Sequence, residues 1–276
     1  MLKIIGLTLF SVLLVFGMTH QTLATATAPV TSPYVYNFNT GGLLHEVGSL
    51  DESSSPYWWV NSGGSLTLAN GRGQTIQGDL SSLSPWRTLY RANNPTDTDS
   101  GLHPQNIFRL VTRSKWQNAR EEAYFIITKD NLSASSNRNS SNGLLLFNRY
   151  QDGSNLYYTG IRVDGAAVIK KKLNGSYHTL AYVPGIYPGV YNRNTNPNLM
   201  PKNKWIGLRS ETETLSNGSV RIRLYLDKGW QGQWTLIAEA IDSGTQLGAP
   251  IQKAGYGGIR TDFMDVLFEN FRFTTI

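Results

Sequence analysis

Residues 143–182, GLLLFNRYQDGSNLYYTGIRVDGAAVIKKKLNGSYHTLAY, break into short apolar-rich runs separated by QDGS, DG and NG. Asp-Gly and Asn-Gly supply the positive φ angles that a tight hairpin turn requires, so the stretch reads as an antiparallel meander. Two further turn signals, Asn217-Gly218 and Asp227-Lys228-Gly229, flank SVRIRLYLD, where apolar and polar residues alternate. That period of two belongs to a strand with one face buried and the other in water.

The same signals recur along the chain. Strands are expected near 34–38, 57–60, 65–69, 86–92, 106–113, 123–128, 144–150, 155–163, 166–172, 177–183, 204–210, 219–227, 234–241 and 265–274, and no segment carries a helical period. Short strands with frequent turns predict an all-β chain, a two-sheet antiparallel β-sandwich or jelly roll. No linker or internal repeat divides residues 34–276, which are expected to form a single domain. The polar stretch 128–143 is expected to be a loop with nothing to bury.

Lys3 precedes an apolar run from Ile4 to Phe16, and Ala24-Thr25-Ala26 offers small residues where a signal peptidase reads. Residues 1–26 therefore read as a signal peptide and 27–33 as a flexible leader, which predicts a secreted protein with no membrane span after processing. The chain contains no Cys, so neither a disulfide framework nor a thiolate metal site is available, and the core must hold the fold. Lys and Arg outnumber Asp and Glu, 25 to 19, which suits either an acidic partner such as a polysaccharide or a surface charge that keeps the protein in solution. No nucleic-acid-binding module is present.

Period-two bookkeeping picks out candidate binding residues. Burying Phe108 and Leu110 turns Arg109 and Arg113 outward, and burying Tyr157, Ile161 and Val163 does the same for Tyr158 and Arg162. Burying Ile206 and Leu208 exposes Trp205 and Arg209, and burying Val220, Ile222, Leu224 and Leu226 exposes Arg221, Arg223 and Tyr225. On one sheet these side chains would suit an acidic polysaccharide, because aromatic rings stack on sugar C–H groups and guanidinium forks hold carboxylates. Solvated arginines on separate outer faces would give the same pattern. The basic run Lys170-Lys171-Lys172 reads as a solvated strand end.

Three segments carry a resemblance: residues 143–181, 204–240 (KWIGLRSETETLSNGSVRIRLYLDKGWQGQWTLIAEA) and 256–273 (YGGIRTDFMDVLFENFRF). In order and turn chemistry they resemble the concanavalin A-like superfamily of lectin, glucanase and lyase sandwiches, a likeness that implies the fold and leaves the activity open. The E-x-D-x-x-E motif of the laminarinase-type hydrolases is absent, and Glu211 and Glu213 are the nearest pair of carboxylates. Arg209-Ser210-Glu211 resembles the start of one alginate lyase motif, but Glu213 stands where that motif has its second Arg. A lyase of another kind would need a carboxylate neutraliser, a base and a proton donor, for which Arg162, Tyr158 and His178 are the candidates, with Arg113 or Arg209 in reserve. The resemblance also implies a structural Ca²⁺, with Asp265 as its candidate ligand and Asp262 as the poorer one. The leading expectation is a secreted carbohydrate-binding sandwich, the alternative a polysaccharide lyase acting by β-elimination, followed by a glycoside hydrolase or a non-sugar adhesion domain.

Overall fold

The computed structural model describes residues 31–245 and 247–276, so the expected signal peptide and the start of the leader lie outside the described residues. In chain order the strands are β1 (Tyr34–Tyr36), β2 (Gly42–His45), β3 (Trp58–Ser62), β4 (Ser65–Ala69), β5 (Arg72–Thr75), β6 (Ile107–Trp116), β7 (Ala119–Asp130) and β8 (Gly143–Asp152). They continue as β9 (Asn155–Arg162), β10 (Ala167–Leu173), β11 (Ser176–Val183), β12 (Ile206–Thr214), β13 (Val220–Lys228), β14 (Thr235–Asp242), β15 (Gly255–Asp262) and β16 (Met264–Thr275), with helix α1 (Pro85–Asn93) between β5 and β6. Two antiparallel sheets result. One is 9-stranded, β14-β13-β12-β7-β16-β5-β4-β2 with β1 paired to β16; the other is 7-stranded, β11-β10-β9-β8-β15-β6-β3.

The meander forms as its turns dictate. β8 to β11 are consecutive neighbours in the seven-stranded sheet, and Asn174 and Gly175 both take positive φ between the paired residues Leu173 and Ser176. The inner faces of both sheets meet in one core that includes Phe38, Trp58, Phe108, Phe125, Leu144, Tyr157, Leu224, Phe268 and Phe271. Edge-to-face ring pairs lock it, Trp58 on Phe271 at 4.7 Å and Phe38 on Phe268 at 5.2 Å.

Polar ties also cross from sheet to sheet. Lys171 on β10 is fully buried; its Nζ donates to Asp242 at the end of β14 (2.8 Å) and to Gly248 O (2.7 Å), and the Tyr157 hydroxyl donates to the same Asp242 oxygen at 2.6 Å. The middle lysine of the basic run is thus an interior ion pair and not a solvated strand end, since alternation turns it inward while Lys170 and Lys172 face out. Ser210 and Thr212 on β12 donate to Asn148 on β8 at 3.0 and 2.8 Å. Glu121 on β7 points into the core and accepts the Gly258 N–H of β15 at 2.7 Å. Burial pushes its carboxyl well above the ordinary range.

Three other expectations change. Residues 86–92 form helix and not strand: Ser84 stands at the N-cap with Pro85 in the first turn, and Trp86 and Tyr90, four apart, share a face. Tyr90 anchors that face, its hydroxyl donating to Glu46 at 2.6 Å and accepting the Gly63 N–H at 2.8 Å. The loop 128–143 buries Asn131, Ser133, Ser135, Arg138 and Asn142. Hydrogen bonds make that possible: Ser133 and Ser135 donate to Asp99 and Asp97, each at 2.6 Å, and Arg138 donates to Ser133 O and Arg193 O. Finally, β15 lies in the interior of its sheet, between β8 and β6, although GYGGIRTD hides its alternation behind glycines. At Gly258 (φ 154°) a Cβ would run into Leu110 O of the neighbouring strand, so the close pairing of β15 and β6 requires glycine.

Two stability predictions follow from the cross-sheet ties. Replacing Lys171 with Ala leaves Asp242 buried without its cation and is expected to cost about 3–5 kcal/mol in denaturant unfolding. Because the Glu121 carboxyl is raised in the folded state, its contribution is complete below the unfolded value of about 4.3 and is lost above it, by at most about 1.4 kcal/mol per pH unit. Glu121→Gln should flatten that decline between acid and neutral pH.

Candidate functional site

The candidate residues divide between two faces. Arg109, Tyr158 and Arg162 stand on the outer face of the seven-stranded sheet, whereas Arg209, Arg221, Arg223 and Tyr225 stand on the outer face of the nine-stranded sheet, with Trp205 just before β12. Arg113 is buried and donates through Nη1 to Ser55 O at 2.7 Å, in the loop before β3. His178 pairs in register with Lys171, so it faces the opposite side of its sheet from Tyr158 and Arg162. The lyase trio is therefore not assembled, and the nine binding candidates do not share one surface. A period of two tells each strand's faces apart but not which sheet the strand joins.

On the nine-stranded sheet the candidate arginines are neutralised. Arg209 meets Glu122 (2.9 Å), Arg120 meets Glu211 (2.6 Å), Arg221 meets Glu213 (2.5 Å), and Arg223 lies 3.4 Å from Glu211 and 3.6 Å from Glu239. The Tyr225 hydroxyl donates to Glu211 at 3.0 Å. Each of these acids faces its arginine across a strand pair, the arrangement that stabilises a sheet by up to about 1 kcal/mol per pair. Glu211 and Glu213 thus serve as partners in this ladder.

The seven-stranded sheet differs. Its outer face carries a second apolar cluster, Val111, Leu145, Phe147, Tyr150, Leu156, Tyr158 and Val168, all buried although among the described residues no further layer of strands covers them. The cover is the sheet's own long side chains. Arg260 on β15 and Tyr177 on β11 lie four places apart in strand order, yet the guanidinium stands beside the Tyr177 hydroxyl and 5.9 Å from the Tyr158 ring. The Tyr158 and Tyr177 rings are 6.0 Å apart. The sheet curls enough to bring both ends of this row together over a shallow depression lined by Arg109, Tyr150, Tyr158, Lys172, Tyr177 and Arg260.

Cations dominate this depression. Arg260 binds Asp262 through Nε at 2.8 Å, and Arg162 binds Asp164 at 2.7 Å while lying 5.0 Å from the Tyr182 ring. Burial alone would lower the Arg260 guanidinium, but Asp262 and Tyr177 outweigh it and raise it. Arg109 sits directly across the strand pair from Arg260, and its guanidinium makes no hydrogen bond or ion pair among the described residues. Burial, and then the Arg260 charge, lower its guanidinium from the usual value. Lys170 is lowered by burial and by Arg162 and Arg260. Burial raises the Tyr158 phenol, so it keeps its proton. Burial also acts to raise Tyr177, but Arg260 and Lys172 prevail and hold its phenol below the ordinary range. Arg260 and Tyr177 escaped the bookkeeping on sequence: the glycines of β15 concealed its strand, although Ile259-Arg260 continues the alternation, and Tyr177 falls at the end of a run.

The buried carboxylate of Asp265, the candidate Ca²⁺ ligand, accepts N–H groups from Gly78 (2.6 Å), Gln105 (2.9 Å) and Asn131 (2.9 Å), and the amide oxygens of Gln105 and Asn131 are buried with no hydrogen-bond partner among the described residues. Asp262 is held by Arg260. Among the described residues no group of three or more His, Cys, Asp or Glu converges to hold a metal.

No family model matches the chain, and no curated protein matches it. Solved structures similar to it include a carbohydrate binding module from Bacillus subtilis, 15% identical with a TM-score of 0.45 over 79% of this chain and 95% of that one. A Bacillus licheniformis β-glucanase is 12% identical, TM-score 0.46, over 90% and 100% of the two chains. A Bacillus subtilis protein of unknown function with a galectin-like fold is 10% identical, TM-score 0.47, over 91% and 97%.

The electrostatics of the curled face are directly measurable. In a spectrophotometric titration one phenol is expected to ionise below the ordinary value of about 10. That step should vanish in Tyr177→Phe and move upward in Arg260→Gln, because removing the cation removes what favours the phenolate.

Proposed function

We propose that this chain is an exported carbohydrate-binding protein that holds an acidic polysaccharide on the outer face of its seven-stranded sheet. The observation that carries the reading is Arg109: a partly buried guanidinium, set against a second arginine and left without an acceptor. An unpaired charge in that position is costly unless an anion completes it. The paired arginines of the other sheet supply the contrast. Around Arg109 stand the remaining requirements for a uronic-acid or sulfated polymer: Arg260, Lys170 and Lys172 for its charges, and Tyr177 and Tyr182, each about half exposed, for its ring faces.

A second reading is favoured by one observation, the Tyr177 phenol poised beside Arg260 and Lys172. On a uronic-acid polymer a Tyr177 phenolate would take the C5 proton while Arg109 and Arg260 hold the carboxylate. The electron pair would form the C4–C5 double bond as the C4–O bond breaks, and the departing oxygen would take up a proton. Tyr177 then serves as the base, and Tyr158 and His178 are not needed for that role.

Affinity electrophoresis in alginate, pectin, hyaluronan and heparin gels tests the first reading. Retardation by at least one polymer is expected, weakening about tenfold or more in Arg109→Gln and with added salt, and unchanged in Arg221→Gln. No retardation in any gel, or equal loss in both variants, overturns it. Growth of the ultraviolet absorbance of an unsaturated uronate, abolished in Tyr177→Phe, would establish elimination.

A further inference from the structure

The turn from β13 to β14, Asp227-Lys228-Gly229-Trp230-Gln231-Gly232, is wound more tightly than joining two strands requires. Gly229, Trp230 and Gly232 have φ of 88°, 57° and 72°, and for a residue as bulky as Trp this conformation persists only where the surroundings impose it. Asp227 imposes it. Its buried carboxylate accepts the backbone N–H groups of Gln231 (3.1 Å) and Gly232 (2.7 Å) and the Tyr124 hydroxyl (2.8 Å), and the Trp230 indole stacks on the Tyr124 ring at 4.1 Å.

The result is an open cleft of about 440 Å³ between this turn and Gly185-Ile186 behind β11. Leu226 and Ile237 line it with apolar surface, and Gln231, Gln233 and Thr235 line it with polar groups. Those three side chains make no hydrogen bond among the described residues and are exposed. The charged groups at the cleft are already engaged. Asp227 is occupied as above, and the Lys228 ammonium donates to Ile186 O (3.3 Å) and lies 5.0 Å from the Tyr187 ring.

We infer that this cleft is a second ligand site and that it takes an uncharged, polyhydroxylated ligand, a unit of a neutral glycan. Each primary amide offers donors and an acceptor, as a sugar hydroxyl requires, and the apolar lining meets the C–H face of a ring. The cleft shares no lining residue with the depression at Arg109, so the inference does not rest on the acidic-polymer reading.

The full chain is titrated with neutral tetrasaccharides of the glucan, mannan and xylan types, following tryptophan fluorescence, since Trp230 and Trp234 flank the two glutamines. At least one probe is expected to bind and to lose about tenfold or more in the Gln231→Ala/Gln233→Ala double variant, while Arg109→Gln binds it as the native chain does. The double variant alters exposed side chains, and an unchanged thermal transition confirms its fold. Absence of binding by every probe overturns the inference, as does binding that survives the double variant or disappears with Arg109→Gln. Loss of acidic-polymer retardation alone leaves this site standing.

Discussion

The interaction on which the rest depends is the burial of one face of each sheet against the other. Without cysteine no covalent tie is available, and the aromatic and aliphatic inner faces supply the cohesion. Hydrophobic contact is non-directional, however, and would tolerate several registers between two smooth sheets. Lys171 with Asp242, Glu121 with the Gly258 N–H, and Asn148 with Ser210 and Thr212 each join one sheet to the other at a single geometry. A shift of one sheet would leave these buried groups unpaired, so they select the alignment that the core stabilises.

That alignment leaves two outer faces with opposite electrostatic solutions. On the nine-stranded sheet Arg120, Arg209, Arg221 and Arg223 each have a Glu on the next strand, which gives a ladder that is complete without a ligand. On the seven-stranded sheet Arg109 and Arg260 are neighbours of like charge. Curling of the sheet draws Tyr177 and the lysines of β10 around them. The same residue types therefore stabilise one face and leave an unmet demand on the other.

The Asp227 turn shows a related economy at a loop. A single buried carboxylate satisfies two backbone N–H groups and a tyrosine hydroxyl, and so holds a conformation that Trp230 would not adopt alone. What that conformation presents outward is a pair of uncommitted amides beside an apolar floor. The contrast with the cationic depression is chemical, and it separates the two sites by the ligands they can satisfy.

Alternation and turn chemistry are local properties, and the sequence alone determined what they control. It placed most strands, the hairpins of residues 143–182, the all-β class, the two-sheet sandwich and the inward or outward sense of residues such as Tyr157 and Tyr158. It missed the short strands β2 and β5, and it failed at β15, where glycines needed for close approach erase the pattern, and at α1, where one turn-length pair, Trp86 and Tyr90, is too little periodicity to read. Which outer face a residue joins was decided only by tertiary structure, because strand order is set by contacts distant in sequence. Hence Arg221 and Arg109 look alike in the chain, yet one has Glu213 and the other has no acceptor. Lys171 makes the same point from inside: alternation allowed either sense, and a carboxylate 71 residues away, Asp242, made the interior tolerable for its charge.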